Sequence, residues 1–462
     1  MKNETISYNK LYVLSITLVA AMGGLLFGYN LGIMTGVQPF IRVAFSLQEG
    51  GLYEGFVVAV FALGCMCGAL GTSKLADLLG RKKMLLFTAF FLIVTAVGVA
   101  FSPNAEWFSA WRFLQGICVG AVSVLTPMYI AEVSPSSERG KYVAINQLTI
   151  IIGILLSTIV CWFYSERLQL DKEVSWQWML GTAAPLATIF ILALIAIPET
   201  PRWLVRANRK DTATKVIARI GGSNEEQQKE LKEIEASLTG SAETHGTYSE
   251  LFGHTLFPAL LVGVGIAFFQ QFCGANGIIA FMQEIFKSAK MALGEGLLNA
   301  VFVNVVALFT TILSLFLVDR VGRRRLMLIG MGTIAATLVA LVWAFSRELI
   351  NGPLVLVLIM AHTGAFGLTL GPVVWVLLSE IFPNRVRSKA MSLSSFTVWL
   401  SCFVVILISP PLLDKGPVVT FTFFAFFTTL GFVFCYFFVP ETKGKSLEEI
   451  EEIWKNRAKK ER

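Results

Sequence analysis

Apolar and polar residues fall in blocks along this chain. Twelve stretches carry no charged side chain: 11–41, 55–73, 84–105, 113–131, 142–165, 174–198, 255–283, 296–318, 326–346, 349–379, 390–413 and 416–439. Each reaches or approaches the ~20 residues an α-helix needs to cross hydrocarbon. In lipid the backbone must satisfy its own hydrogen bonds, which it does as helix. The pattern predicts an all-α polytopic membrane protein with twelve transmembrane helices. The first run is too long for a signal peptide and lacks a small-residue cleavage site, so it reads as the first span.

The charged segments between the runs repeat. Asp77, Gly80, Arg81, Lys82 and Lys83 are echoed by Asp319, Gly322, Arg323, Arg324 and Arg325. Pro198, Glu199 and Thr200 are echoed by Pro440, Glu441 and Thr442. The offsets agree, since 319 − 77 and 440 − 198 are both 242. Glu132 with Arg139 and Glu380 with Arg387 keep a common spacing of seven, at an offset of 248. The chain therefore reads as two copies of one six-helix unit, a frequent construction among transporters. This gives a first bundle at 1–199, a cytoplasmic linker with short helices at 200–254, a second bundle at 255–440 and a cytoplasmic tail at 441–462.

Charge sets the expected orientation. Lys74, Arg81, Lys82, Lys83, Arg139, Lys141, Arg320, Arg323, Arg324, Arg325, Arg385, Arg387 and Lys389 all follow even-numbered spans. By the positive-inside rule these loops and both termini face the cytoplasm, in an integral plasma (inner) membrane protein. The net charge of +7 is accounted for by that asymmetry and by anionic lipid, with no support for nucleic-acid binding. Membrane lipids are the expected surroundings and a monomer the expected state. All seven cysteines lie in apolar runs and read as small buried side chains, with no metal site and no cofactor. Asn224 to Ser237 reads as a charge-laced cytoplasmic helix, and the tail from Lys445 as another, with Ser446 and Glu449 forming a capping box.

Several motifs carry a resemblance. They are Gly24 to Asn30 (GLLFGYN) in helix 1, Arg112 to Gly116 (RFLQG) in helix 4, and Pro127, Tyr129 and Glu132. Pro198 to Trp203 (PETPRW), Gln270, Gln271, Gly274 and Asn276 in helix 7, and Pro440 to Gly444 (PETKG) complete the set. Over about residues 15–450 the chain resembles the sugar porter family of the major facilitator superfamily. The resemblance implies two pseudo-symmetric six-helix bundles, a monosaccharide (hexose or pentose) bound near the midplane, and alternating access by rocking.

It also implies site residues. Neutral amides suit sugar hydroxyls because they donate and accept without burying charge, and aromatic rings suit the C–H face. The expected sugar contacts are Gln147, Gln270, Gln271 and Asn276, with Trp375 as the cavity floor. Phe27, Phe366 and Trp399 are expected as lining aromatics, although Trp399 reads equally as packing. The tyrosine pair expected after Asn276 is Ala280 and Phe281, and the helix-8 asparagine position is Ala307, with Asn304 one turn away as a substitute. The helix-11 amide is Val398, and a glutamate of some glucose carriers aligns with Gly367. These losses imply a weaker pocket or a different monosaccharide. Asp77, Arg81, Glu132, Arg139, Asp319, Arg323, Glu380 and Arg387 are expected to form a cytoplasmic gate, joined when the cavity opens outward. The alternative for them is topology-setting surface charge.

Energetic coupling turns on one position. Proton-coupled members of the family carry a helix-1 aspartate opposite the helix-4 arginine. Here the position is Asn30, which does not titrate, while Arg112 remains and is expected to snorkel outward. No Asp or Glu falls inside the apolar runs. The reading is a facilitative uniporter, with a proton-coupled sugar or polyol symporter as the alternative and His362 as its one intramembrane titratable group. His362 otherwise reads as a packing or lining residue, and His245 and His254 as loop residues. A non-transporting sugar sensor is a third reading. No catalytic constellation is present, so an enzyme is not expected.

Overall fold

The computed structural model describes residues 8–135, 138–168, 172–240, 248–253, 256–347, 352–445, 449–450 and 452–454. His245, His254 and Ser446 lie outside them. Twelve helices are long and apolar enough to cross a membrane. They are α1 (Lys10–Gly32), α2 (Leu52–Leu79), α3 (Arg81–Ala100), α4 (Ala105–Val133), α5 (Arg139–Arg167) and α6 (Val174–Ala196). The second set is α7 (Phe257–Ala280), α8 (Leu293–Val321), α9 (Arg323–Ser346), α10 (Gly352–Glu380), α11 (Arg385–Asp414) and α12 (Pro417–Phe438). The expected all-α architecture with twelve spans is therefore present.

Helix ends explain the repeat. The turn between α2 and α3 passes through Gly80 at φ 99°, and that between α8 and α9 through Gly322 at φ 98°. Only glycine takes that backbone cheaply. A Cβ at Gly80 would also lie 2.4 Å from Glu199 Oε2. Glu199 accepts from the backbone N–H groups of Arg81 (3.0 Å) and Lys82 (3.1 Å), capping α3. Glu441 accepts from Arg323 N–H at 3.0 Å and caps α9. The two motifs share one offset because in each half they bind each other. Carboxylates at helix N-termini satisfy orphan donors and complement the helix dipole.

Several of the long apolar runs are not single straight helices, and three of these bear on the site. α1 yields after Gly32 to a second segment, Met34–Ala44, with Pro39 inside it. α7 breaks at Gly274, in the left-handed region at φ 85°, and continues through Ala275–Ala280 to Met282–Ser288. α10 breaks at Thr369 between Gly352–Leu368 and Leu370–Glu380. Discontinuities of this kind expose backbone groups inside a bundle, where irregular structure is tolerated only against protein or a cavity.

Buried apolar side chains form two clusters, one drawn mainly from residues 13–234 and the other from 251–454. The halves meet through α2 against α11 and α5 against α8. The α2–α11 approach is closest near the face away from the termini, where a Cβ at Gly55 would lie 2.1 Å from Leu407 O. Between the halves, helices Pro201–Arg206, Lys210–Ile220 and Asn224–Gly240 form the linker. Trp454 is buried, and its indole N–H donates to Ile381 O at 2.9 Å, docking the tail on the second half.

Candidate functional site

The amides of α7 form a chain. Asn276 Nδ2 donates to Gln271 Oε1 at 2.6 Å, and Gln271 Nε2 reaches Gln270 Oε1 at 3.4 Å. Gln270 Nε2 in turn donates to Leu370 O at 2.9 Å, at the break in α10. Gln270 and Gln271 are both buried, so these groups must find partners inside the bundle. The 3.4 Å link is weak, and a hydroxyl offering both donor and acceptor fits it.

Aromatics flank this chain. The rings of Phe27 on α1 and Trp399 on α11 lie 5.7 Å apart, across the two halves. Asn276 lies beside the Cys402 thiol, one turn from Trp399. Phe366 stands just before the α10 break and Trp375 just after it, the latter 36% exposed. Gln147 is half-buried on α5, and among the described residues no hydrogen bond joins it to the α7 amides. Asn304 is engaged elsewhere: its Nδ2 donates to Thr158 Oγ1 at 2.9 Å, joining α8 to α5.

Arg112 departs from expectation. It does not snorkel to the surface, being 1% exposed. Its Nη1 donates to Gln115 Oε1 at 2.7 Å, its Nη2 reaches the Asn30 carbonyl at 3.4 Å, and its guanidinium lies 4.2 Å from the Phe61 ring centroid. Helix phase turns it inward, where neutral acceptors and a π face hold it. Among the described residues no carboxylate is within ion-pair distance of it. The Asn30 side chain donates to Leu26 O at 2.8 Å. His362 is fully buried, its Nε2 3.2 Å from Cys273 O beside the α7 break, and its Nδ1 has no partner.

The expected gate charges gather inside each half. Arg81 pairs with Asp77 (3.1 Å) and Glu132 (3.0 Å), and Thr200 Oγ1 donates to Glu132 at 2.6 Å. Arg323 pairs with Asp319 (2.9 Å) and Glu380 (3.0 Å), and Thr442 Oγ1 donates to Glu380 at 2.6 Å. Arg387 instead reaches Phe382 O at 3.3 Å. Arg139 lies beside Glu230 of the linker, whose carboxyl burial pushes up and Arg139 draws back. On this face every ion pair among the described residues stays within one half, stays within the linker, or joins a half to the linker.

Sequence reading missed one buried acid. Glu54 sits just outside an apolar run, yet α2 begins at Leu52 and carries it inside the helix, 2% exposed. It accepts from Gln38 Nε2 and from Gly50 N–H at 3.0 Å. The signal available was a lone Glu beginning a helix, where carboxylates favour the first turn. A cavity of about 260 Å³ lies at the same face, lined by Phe40, Arg42, Gln283, Glu284, Lys287 and Met291.

Twelve spans in two repeats, with helices broken beside an amide chain, define a secondary transporter. The family model described as "Sugar (and other) transporter" matches residues 16–454. The chain is 33% identical over 453 residues to the arabinose-proton symporter of Bacillus subtilis (strain 168), covering 97% of each. It is 33% identical to the D-xylose-proton symporter of Escherichia coli (strain K12), covering 98% of each. Among solved structures, the inward-open conformation of the xylose transporter XylE from E. coli superposes with TM-score 0.85 at 32% identity, covering 96% of this chain and 100% of that one. The chain belongs to the sugar porter family of the major facilitator superfamily. It is an integral membrane sugar transporter.

Proposed function

We propose that this protein carries a monosaccharide, a pentose or hexose, across the plasma membrane by alternating access, with both termini in the cytoplasm. The α7 amide chain ending at the α10 break carries this reading. Gln270, Gln271 and Asn276 bind sugar hydroxyls, while Phe27, Trp375 and Trp399 face the ring, with Gln147 and Phe366 completing the lining. Asn304 is better read as a bridge between α5 and α8. The conformer is inward-facing. The halves touch away from the termini, and the charge clusters at Asp77–Arg81–Glu132 and Asp319–Arg323–Glu380 stand apart on the cytoplasmic side. On closing that side these clusters meet across the halves, Arg139 and Arg387 joining them.

For coupling, the relatives named as proton symporters support sugar–proton symport, and that is our first reading. Asn30 then requires the proton to travel elsewhere, and His362 beside the α7 break is the group to carry it. The second reading is uniport, favoured by one observation: among the described residues no carboxylate lies within ion-pair distance of Arg112, which is held by Gln115, the Asn30 carbonyl and the Phe61 ring. Sugar entry into proteoliposomes separates them, tested over hexoses and pentoses with and without an imposed proton gradient. Accumulation above equilibrium only with the gradient supports symport. Equal final levels in both conditions support uniport. No entry for any sugar would overturn the proposal as a whole.

A further inference from the structure

The ion pairs that cross between the halves lie on the face opposite the termini. Arg42, on the segment continuing α1, pairs with Glu284 at 2.8 Å, on the segment continuing α7. Lys287 pairs with Glu49 at 2.8 Å. Beneath them Thr35 Oγ1 donates to Ile279 O at 2.8 Å, again from the first half to the second. Arg42 also faces Glu49 at 3.4 Å and the buried Glu54 at 3.9 Å. Glu54 is itself held by Gln38 and Gly50, and a Cβ at Gly50 would touch Asp414 at the end of α11.

This pair joins the two halves at the end where they are closed, beside the Thr35–Ile279 contact. Both segments that carry it are set off from the helix before them, one by the Gly32–Met34 discontinuity and the other by the left-handed Gly274. The two side chains are each 14% exposed, whereas Glu49 and Lys287 are each 59% exposed. Screening leaves the outer pair weak, so the less exposed Arg42–Glu284 pair carries more of the interaction.

We propose that Arg42 and Glu284 form an ionic latch that holds the external side shut in the inward-facing state and parts when that side opens. Arg42 then turns to Glu49 and Glu54 within its own half, so the guanidinium keeps a partner in both states. The carboxylates it releases and gains are thus exchanged without leaving a buried charge unpaired. The inference rests on the alternating-access reading and on the cytoplasmic placement of the termini, but its readout requires no sugar.

The test places a single cysteine at Thr35, which is 1% exposed, in a chain whose seven native cysteines are replaced. Labelling by a membrane-impermeant maleimide is timed from outside intact cells. Glu284→Gln and Arg42→Gln are each expected to label faster, on the order of five-fold. A double Arg42→Gln/Glu284→Gln variant closes a mutant cycle and is expected to label no faster than either single. Parental rates in the single variants, or multiplied effects in the double, would overturn the latch. Sugar uptake in the same cells is scored separately, so that a failed carrier and a failed latch give different results.

Discussion

Gln270 donates to a carbonyl at one helix break and anchors an amide chain that begins beside another. Removing it leaves the Gln271 side-chain N–H without its acceptor and, on the proposed reading, deletes a sugar contact. Unmet buried hydrogen bonds cost ~1–3 kcal/mol. Gln270→Ala is expected to lower sugar uptake at limiting substrate by about ten- to a hundred-fold in protein that still elutes as a single species. Wild-type uptake would remove it from the site. At Arg112 a carboxylate is within design reach, and Asn30→Asp is expected to make uptake rise more steeply on acidification than in the parent. Initial rates across a pH series check this. Glu49 offers a second pH handle. The Lys287 hydrogen bond holds its carboxyl below the usual range against the opposing effect of burial, with Arg42 adding to the lowering. A depressed carboxylate stabilises the paired state above its unpaired pKa and loses that stabilisation as pH falls through the depressed value. The external face is therefore expected to stay shut at neutral pH and to loosen only modestly as pH falls through that lowered value, because the Glu49–Lys287 pair is the more exposed one, as read by spin-label distances between the halves.

Among the elements, α3 and α9 owe their starts to distant carboxylates. Burial pushes the Glu199 carboxyl up, while the N–H groups of Lys82, Thr200 and Arg81 and the Arg81 charge oppose the shift. The backbone donors need only an acceptor, so an amide oxygen should serve. Glu199→Ala is expected to cost ~1–2 kcal/mol, as lost caps do, and Glu199→Gln distinctly less. Thermal unfolding in detergent compares the two. The α7 break is similarly specific: at Gly274 any side chain meets both a positive φ and the Phe424 ring, 2.6 Å from a Cβ. The spacing of the PET and Asp-x-x-Gly-Arg motifs was visible in the sequence, but their mutual contact was not, because capping joins residues more than a hundred positions apart. Separations of 51 and 57 positions likewise hid the destinations of Glu132 and Glu380, which the seven-residue spacing set beside Arg139 and Arg387. Folding gives them instead to Arg81 and Arg323.

For the whole molecule, the chain's own residues determined much: twelve spans from the lengths of its charge-free runs, two repeats from a constant offset, and the sugar-porter family from its motifs. Those properties are local or periodic, and the bilayer leaves helix as the only solution for each run. Asn30 is equally plain in sequence and raised the expectation of uniport, whereas the named relatives favour proton coupling. Tertiary structure decided what lies between helices. It turned Arg112 inward, drew Glu54 into α2, broke α1, α7 and α10, and gave Asn304 to Thr158. It also brought Arg42 to Glu284, neither of which belongs to a recognisable motif. The reason is physical. Hydrophobicity fixes which segments enter the membrane, but which side chains meet depends on helix phase and on which face of the carrier is closed.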